Sequence, residues 1–403
     1  MRRPFITLGC AFAVLNGIAS APSAQAQTPA SRALKQAAPE KHAQLVERVS
    51  FRDKNEIRSL AGRILVEAAD GGLLLETDDG VLWTIEPAQI TSRSPTTTRF
   101  TPVTREEMAQ RLSAELPPGF STYTTPHYVI AYNTSRVYAQ WNSSLLERLH
   151  RAFTNYWERE GLAIREPEFP LAVLVFADHQ AYAGASRDDL PGGVGNILGY
   201  YSLRTNRINM FDLTGAEALR DQQGRRGTLR DINAMLSQPA AVPLVSTIVH
   251  EATHQIAFNC GLQTRYADLP LWLLEGMAVY FEAPDLTSTR GWTGIGKVNY
   301  PRLETFRTNQ PRWNERSLTS LLADDRRFRD ARNAGDAYAD AWALNYYLIK
   351  YQSKPYAAYL KMLAQKPPLV DSGPQARLAE FRQHFGDLEK LEQDFLKRMS
   401  RVE

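Results

Sequence analysis

Cysteine is scarce in this sequence. The 403 residues include two, Cys10 and Cys260, and this small number excludes the disulfide framework that stabilises many small exported domains. A chain of this length can bury enough apolar surface to fold without one. Cys260 ends an apolar helical pattern, so we expect it to be a small core residue rather than a ligand or a nucleophile.

Long hydrophobic runs and a strong net charge are also missing. After residue 26, no apolar stretch is long enough to cross a bilayer, so we expect no membrane span beyond that residue. Basic and acidic residues number 47 and 44, are interspersed, and leave a formal charge of +3. This balance does not indicate nucleic acid as a partner.

The N-terminus has the three parts of a secretory signal peptide. Arg2 and Arg3 are basic, residues 5–21 are mostly apolar, and Ala24-Gln25-Ala26 fits the small-residue cleavage pattern. An uncleaved membrane anchor is the alternative, and it is less favoured because polar and small residues dilute the apolar run. We therefore predict a signal peptide over residues 1–26 and a location in the periplasm or outside the cell.

Hairpin signals predict a small all-β, SH3-like module over residues 49–96. The apolar runs between residues 64 and 85 are interrupted by Asp70-Gly71-Gly72 and by Asp79-Gly80. An Asp-Gly pair between alternating apolar runs is the strongest short hairpin signal. The module contains no catalytic constellation, so packing or partner docking is the expected use.

Composition predicts the other boundaries. Residues 27–48 are rich in Ala, Gln, Lys and Glu and read as a linker or a marginal helix. Residues 91–98, rich in Ser, Thr and Pro, read as the boundary after the module. We expect a catalytic domain over residues 116–290 and a helical C-terminal subdomain over residues 291–403, which together give an α+β fold.

Hydrophobic periodicity predicts the main elements of these two parts. In the first part we expect strands at 128–132 and 171–176, a helix at 137–160, and a hairpin pairing Tyr200-Tyr201 with residues 208–211. In the second part we expect helices at 336–351 and 355–364, and one or two more within 375–401.

The most informative motif is His250-Glu251-Ala252-Thr253-His254. Residues four apart lie on one face of a helix, so both imidazoles can reach a single ion while Glu251 lies beside them as a general base. Pro243 suits the start of this helix, and Gly261 suits its end. The neighbouring residues are apolar, so two buried histidines and a glutamate need polar partners, and a metal satisfies all three.

A catalytic zinc site usually has three protein ligands, so one is missing from this motif. Glu275 is the one charged residue within the apolar run of a second predicted helix, and Gly276 and Ala278 beside it would permit close helix packing. Glu282, two turns later, is the other candidate, either as a ligand or as an acceptor for an imidazole N–H. We favour Glu275.

The segment Trp272-Leu273-Leu274-Glu275-Gly276-Met277-Ala278, some twenty residues after the motif, resembles the gluzincin clan of zinc metallopeptidases. The stretch from about Tyr128 to Tyr347 more closely resembles a bacterial family of unknown-function domains grouped with peptidase-MA-like gluzincins. The resemblance implies one Zn²⁺ held by His250, His254 and Glu275, with Glu251 as general base. The G-x-M-E-N segment of the larger aminopeptidase family is absent, so aminopeptidase specificity does not carry over.

The same resemblance implies two further sites. Gluzincins often place a phenol near the zinc to stabilise the oxyanion, and Tyr338 is the candidate, with core packing as the alternative. They also hold a peptide on the edge strand of the sheet, which implies that Tyr200 and Tyr201 bind substrate through their backbone. If the backbone makes these contacts, replacing either side chain should harm activity little.

Four of the five other histidines are read as ordinary residues because they lack ligand-like spacing: His127, His150, His179 and His384. The sequence thus predicts a zinc-dependent hydrolase of peptide bonds with a polypeptide substrate. One alternative is a zinc-bearing module that binds exported proteins or cell-wall fragments without cutting them. The other is a zinc hydrolase acting on a non-peptide amide.

Overall fold

A computed structural model describes residues 45–195, 197–215, 228–286, 292–313, 317–330, 332 and 334–403. The predicted signal peptide and residues 27–44 of the predicted linker lie outside the described residues. The described part is a mixed α+β structure with two five-stranded sheets and a helical C-terminal part, which confirms the predicted fold class at this level.

The first sheet is the predicted β module. Its strands are antiparallel and lie in the order β4-β3-β2-β1-β5. The turns at Gly71 and Gly80 have φ of 90° and 79°, which explains the glycines in both hairpin signals. The strands are β1 (Leu45–Asp53), β2 (Glu56–Glu67), β3 (Leu73–Thr77), β4 (Leu82–Ile85) and β5 (Ile90–Arg99).

Both predicted boundaries of this module differ from the structure. Residues 45–48, assigned to the linker, belong to β1, and residues 91–98, read as a boundary segment, form most of β5. Threonine is β-branched and suits a strand, and β5 lies at the edge of the sheet, where Pro95 is tolerated without an N–H. The described part of the module therefore extends over residues 45–99.

A buried charge network joins this module to the rest of the chain. Arg63 donates from Nε to Glu76 at 2.7 Å and from Nη1 to Glu168 at 2.6 Å. Arg265, in the loop after residue 261, donates to the other oxygen of Glu76 at 2.9 Å and to the Leu203 carbonyl at 3.1 Å. Glu76 thus connects β3 directly to Arg265 and, through Arg63, to Glu168.

Replacing Glu76 with glutamine should destabilise the protein by about 3 to 5 kcal/mol, because two buried guanidinium groups would lose an anionic partner. Urea unfolding measures the change. Glu67→Gln is the matched control: Glu67 pairs with Arg93 at 3.0 Å on the surface, and its loss should cost under about 1 kcal/mol. Equal costs for the two variants would contradict a structural function of the buried network.

The second sheet lies in the predicted catalytic region. Its order is β6-β7-β8-β10-β9, with β7, β8 and β10 mutually parallel and antiparallel strands at both edges. The strands predicted at 128–132 and 171–176 are confirmed, as is the hairpin containing Tyr200 and Tyr201. The strands are β6 (Ser121–Thr124), β7 (Tyr128–Tyr132), β8 (Leu171–Phe176), β9 (Gly199–Tyr201) and β10 (Arg207–Phe211).

Thirteen α-helices lie within the described residues, and the predicted ones occur close to their predicted bounds. They are α1 (Arg105–Glu115), α2 (Arg136–Arg159), α3 (His179–Ala185), α4 (Leu229–Leu236), α5 (Val242–Asn259), α6 (Leu271–Phe281), α7 (Tyr300–Asn309), α8 (Ser317–Ala323), α9 (Arg326–Arg329), α10 (Ala334–Tyr351), α11 (Ser353–Leu363), α12 (Gly373–Phe385) and α13 (Leu388–Met399).

Helix α5 carries the His-Glu-x-x-His motif and lies against the β9 edge of the second sheet. Pro243 occupies its first turn, and Gly261 follows its end with a φ of 84°, as the sequence predicted. Gln255 fixes the helix to the sheet region, because its Nε2 donates to the carbonyls of Ala172 at 3.0 Å and Asn206 at 2.9 Å. Cys260 is fully buried, as expected of a core residue.

Helix α6 packs between α5 and α10, and the predicted catalytic and C-terminal regions share one buried core. Gly276 allows the close approach of α10, where Asn345 donates from Nδ2 to the carbonyls of Trp272 and Ala341, both at 2.8 Å. Tyr356 in α11 in turn donates to Asn345 Oδ1 at 2.6 Å. The C-terminal helices therefore fix the position of α6.

Among the described helices, none by itself has the length and apolar composition of a membrane span. Helices α4 and α5, taken together from Leu229 to Asn259, meet those two criteria, but the pair is bent by 82°.

Candidate metal centre

Three side chains predicted as metal ligands meet at one point between α5 and α6. His250 Nε2 lies 3.1 Å from Glu275 Oε2 and 3.2 Å from His254 Nε2. His254 Nε2 lies 3.7 Å from the same Glu275 oxygen. The structure thus brings together the two motif histidines and the carboxylate that the sequence favoured as the third member.

These separations fit a tetrahedral zinc site. Ligand atoms about 2.0 to 2.1 Å from a tetrahedral zinc are about 3.3 to 3.4 Å apart, and the three observed distances bracket that value. The donor set also suits zinc, which binds imidazole nitrogen and carboxylate oxygen in catalytic sites. The chemistry of the donor set is therefore the ground for considering zinc at this cluster.

The cluster is removed from solvent, with His250 fully buried, His254 1% exposed and Glu275 2% exposed. Burial lowers the pKa of His254, outweighing the opposite effect of Glu275, and so favours the neutral ring. Burial opposes ionisation of Glu275, yet the two imidazoles hold the pKa of its carboxyl below the usual range. A neutral imidazole and an ionised carboxylate are the forms that bind a metal.

Glu282, the second candidate for the third ligand, lies on the other side of His250. Its Oε2 is 3.3 Å from His250 Nδ1, while Nε2 of the same ring faces Glu275. A carboxylate on the second ring nitrogen fixes the tautomer and orientation of a ligating imidazole. The structure therefore gives Glu275 and Glu282 different places: Glu275 at the cluster, and Glu282 behind His250.

Glu251 is fully buried beside the cluster, and its Oε2 accepts a hydrogen bond from the backbone N–H of Tyr201 at 2.7 Å. Tyr201 lies in β9, the edge strand of the second sheet. The sequence did not predict this contact, because a backbone donor leaves no trace in residue type. The one available signal was the hairpin itself, predicted to lie close to the motif helix.

The side chains of Tyr200 and Tyr201 are buried at 1% and 0% exposure. The Tyr201 hydroxyl donates to Asn206 Oδ1 at 2.7 Å, and the Tyr200 hydroxyl donates to Asp189 at 3.3 Å. Truncating either residue would open a cavity in the core, which typically costs about 3 to 5 kcal/mol for a large aromatic side chain. The expectation that these side chains can be changed with little effect is therefore withdrawn, whereas substrate binding by the backbone stays a prediction.

Tyr338 lies in the first turns of α10 and is half-buried. Its ring packs edge-on against Phe328, with centroids 5.5 Å apart, and the Arg302 guanidinium lies over the ring at 5.5 Å from its centroid. Packing against Phe328 and Arg302 is thus sufficient to explain where the Tyr338 ring lies. The contribution of its hydroxyl to the chemistry stays a prediction.

A family model described as "Protein of unknown function (DUF1570)" matches residues 244–370. The match begins in α5, spans α6 and α10, and so includes His250, His254 and Glu275. It supports the resemblance to an unknown-function family, over a shorter stretch than the one from Tyr128 to Tyr347. No curated protein matches the chain. Over residues 244–370, the chain is thus similar to a family whose description states no activity.

Proposed function

We propose that this protein is a zinc-dependent hydrolase of peptide bonds, of the gluzincin type, that acts outside the cytoplasm. The observation that carries the proposal is the meeting of His250, His254 and Glu275 beside Glu251, all buried, with separations that suit one tetrahedral ion. The family match names no activity, so the proposal depends on this geometry and on the motif.

His250, His254 and Glu275 would hold the zinc ion, whose Lewis acidity would lower the pKa of a water molecule and polarise a carbonyl group. Glu251 accepts the proton of the attacking water and passes it to the leaving amine. The Tyr201 N–H holds one oxygen of Glu251, so the carboxylate keeps a fixed direction during this transfer. Tyr338 is the proposed donor to the oxyanion.

Peptide substrate would lie along β9, the edge strand next to α5. An extended peptide can add to an exposed strand edge through main-chain hydrogen bonds. In this structure the Tyr201 N–H is already bonded to Glu251, so the remaining backbone groups of the β9 edge would hold the substrate. The short strand β9 would then both bind the substrate and orient Glu251 for proton transfer.

The test uses purified protein that begins at Gln27. We expect it to cleave members of a peptide library, to lose this activity with a zinc chelator, and to regain it when Zn²⁺ is restored. The bound metal should fall by one equivalent in His254→Ala relative to the parent protein.

Metal binding without cleavage of any peptide would favour the alternative of a binding module. Chelator-sensitive cleavage of non-peptide amides alone would favour a hydrolase of another class. A parent protein and a His254→Ala variant with the same metal content would refute the assigned metal centre.

A further inference from the structure

A second group of potential ligands lies outside the site described above. His127 immediately precedes β7, His150 lies in α2, and Glu166 lies in the loop before β8. Each offers a donor atom, and these atoms lie within 4.8 Å of one another. No sequence spacing marked this group, because the three residues come from separate segments of the chain.

His127 is oriented as a ligating imidazole would be. Its Nδ1 lies 2.6 Å from Glu147 Oε2, and its Nε2 lies 3.3 Å from Glu166 Oε2. Glu147 is itself fixed, because its Oε1 accepts from the Thr125 hydroxyl at 2.7 Å and from the His127 backbone N–H at 2.9 Å. A carboxylate on one ring nitrogen directs the other nitrogen toward a metal and raises its basicity.

His150 gives a second indication of a ligand, independent of the orientation of His127. The residue is 3% exposed, and within the described part of the chain its Nε2 has no hydrogen-bond partner. Its ring stacks on that of His127, with centroids 4.0 Å apart. A buried ring nitrogen without a partner is costly unless a cation or another polar group reaches it.

We propose that His127, His150 and Glu166 form a second site for a divalent transition-metal ion such as Zn²⁺, with Glu147 positioning His127. Two imidazoles and one carboxylate suit zinc and its neighbours in the first transition row. Glu166 has a side chain that is 82% exposed, so it can move toward the two rings when an ion binds. The ion would connect α2, the start of β7 and the loop before β8, and would act as a structural site away from the α5–α6 cluster.

The experiment titrates metal-free protein beginning at Gln27 with Co²⁺, and then with Zn²⁺, and measures the bound equivalents. The parent protein should bind two equivalents. Glu166→Gln should weaken one of them at least tenfold and leave the other, as well as any peptide cleavage, unchanged. Glu158→Gln removes an equal charge at an exposed position of α2 and should leave both equivalents intact.

His254→Ala separates this proposal from the proposed function. In that background the equivalent that remains should be the one sensitive to Glu166→Gln, and His150→Asn should abolish it. If the parent binds one equivalent that His254→Ala removes, the second site is refuted and the first stands. If neither Glu166→Gln nor His150→Asn changes binding, the second site is refuted. The group would then be an ion-pair cluster in which Glu147 and Glu166 flank a protonated His127.

Discussion

Replacing Glu251 with glutamine should lower the rate of peptide hydrolysis by about 10² to 10⁴-fold, the range for loss of a general acid–base group. Glutamine keeps the size of the side chain, and its amide oxygen can still accept from the Tyr201 N–H, which lies 2.7 Å from Glu251 Oε2. It cannot accept the proton of water. Glu251 is not among the three proposed ligands, so the metal content should stay unchanged.

The measurement combines kcat on a cleaved library peptide with metal analysis of the same preparation. His254→Ala provides the contrast, because it should lose the metal and the activity together. A Glu251→Gln protein that loses its metal would place Glu251 among the ligands. One that cleaves at the parental rate would remove Glu251 from the chemistry.

Gly276→Ala should destabilise the protein by about 3 kcal/mol or more, at or above the upper end of typical overpacking costs. A Cβ at this position would lie 2.7 Å from the Ala341 carbonyl carbon and closer still to its oxygen and to Asn345 Nδ2. Asn345 cannot turn away without losing its bonds to Trp272 and Ala341. Helices α6 and α10 would have to separate, which would move the adjacent Glu275 from the two histidines.

The free energy of unfolding, measured with urea, and the metal affinity should therefore both fall in the Gly276→Ala variant. Gly335→Ala is the control in α10, because a Cβ there meets no atom within 4 Å. It should be neutral or slightly stabilising, since alanine favours a helix over glycine. If Gly276→Ala were as stable as the parent and bound metal equally well, close packing of α6 on α10 would not position Glu275.

Much of the candidate site could be predicted from local periodicity in the sequence. The four-residue spacing of His250 and His254 places both rings on one helix face whatever surrounds the helix, and the structure shows their Nε2 atoms 3.2 Å apart. Glu275 was identifiable because a single carboxylate in an apolar helix needs a partner. The hairpins at Gly71 and Gly80 were predictable because turns of positive φ depend on residue type.

Other features were misread because composition is ambiguous. Residues 91–98 have a loop-like composition, yet they form a strand because β1 offers them a partner at the sheet edge. Glu275 lies within α6 and Glu282 directly follows its last residue, and spacing could not decide which of them faces the cluster. The orientation of the His250 ring, with Nε2 toward Glu275 and Nδ1 toward Glu282, decided it.

The sequence by itself determined the motif helix, its two histidines, the adjacent Glu251 and the strands at 128–132 and 171–176, because all of these follow from contacts within a few residues. Tertiary structure alone decided the bond from the Tyr201 N–H to Glu251, the link from the β module to Arg265 through Glu76, and the meeting of His127 with His150. Those contacts join segments that are far apart in the chain, and their partners are chosen by packing and burial, which no local pattern records.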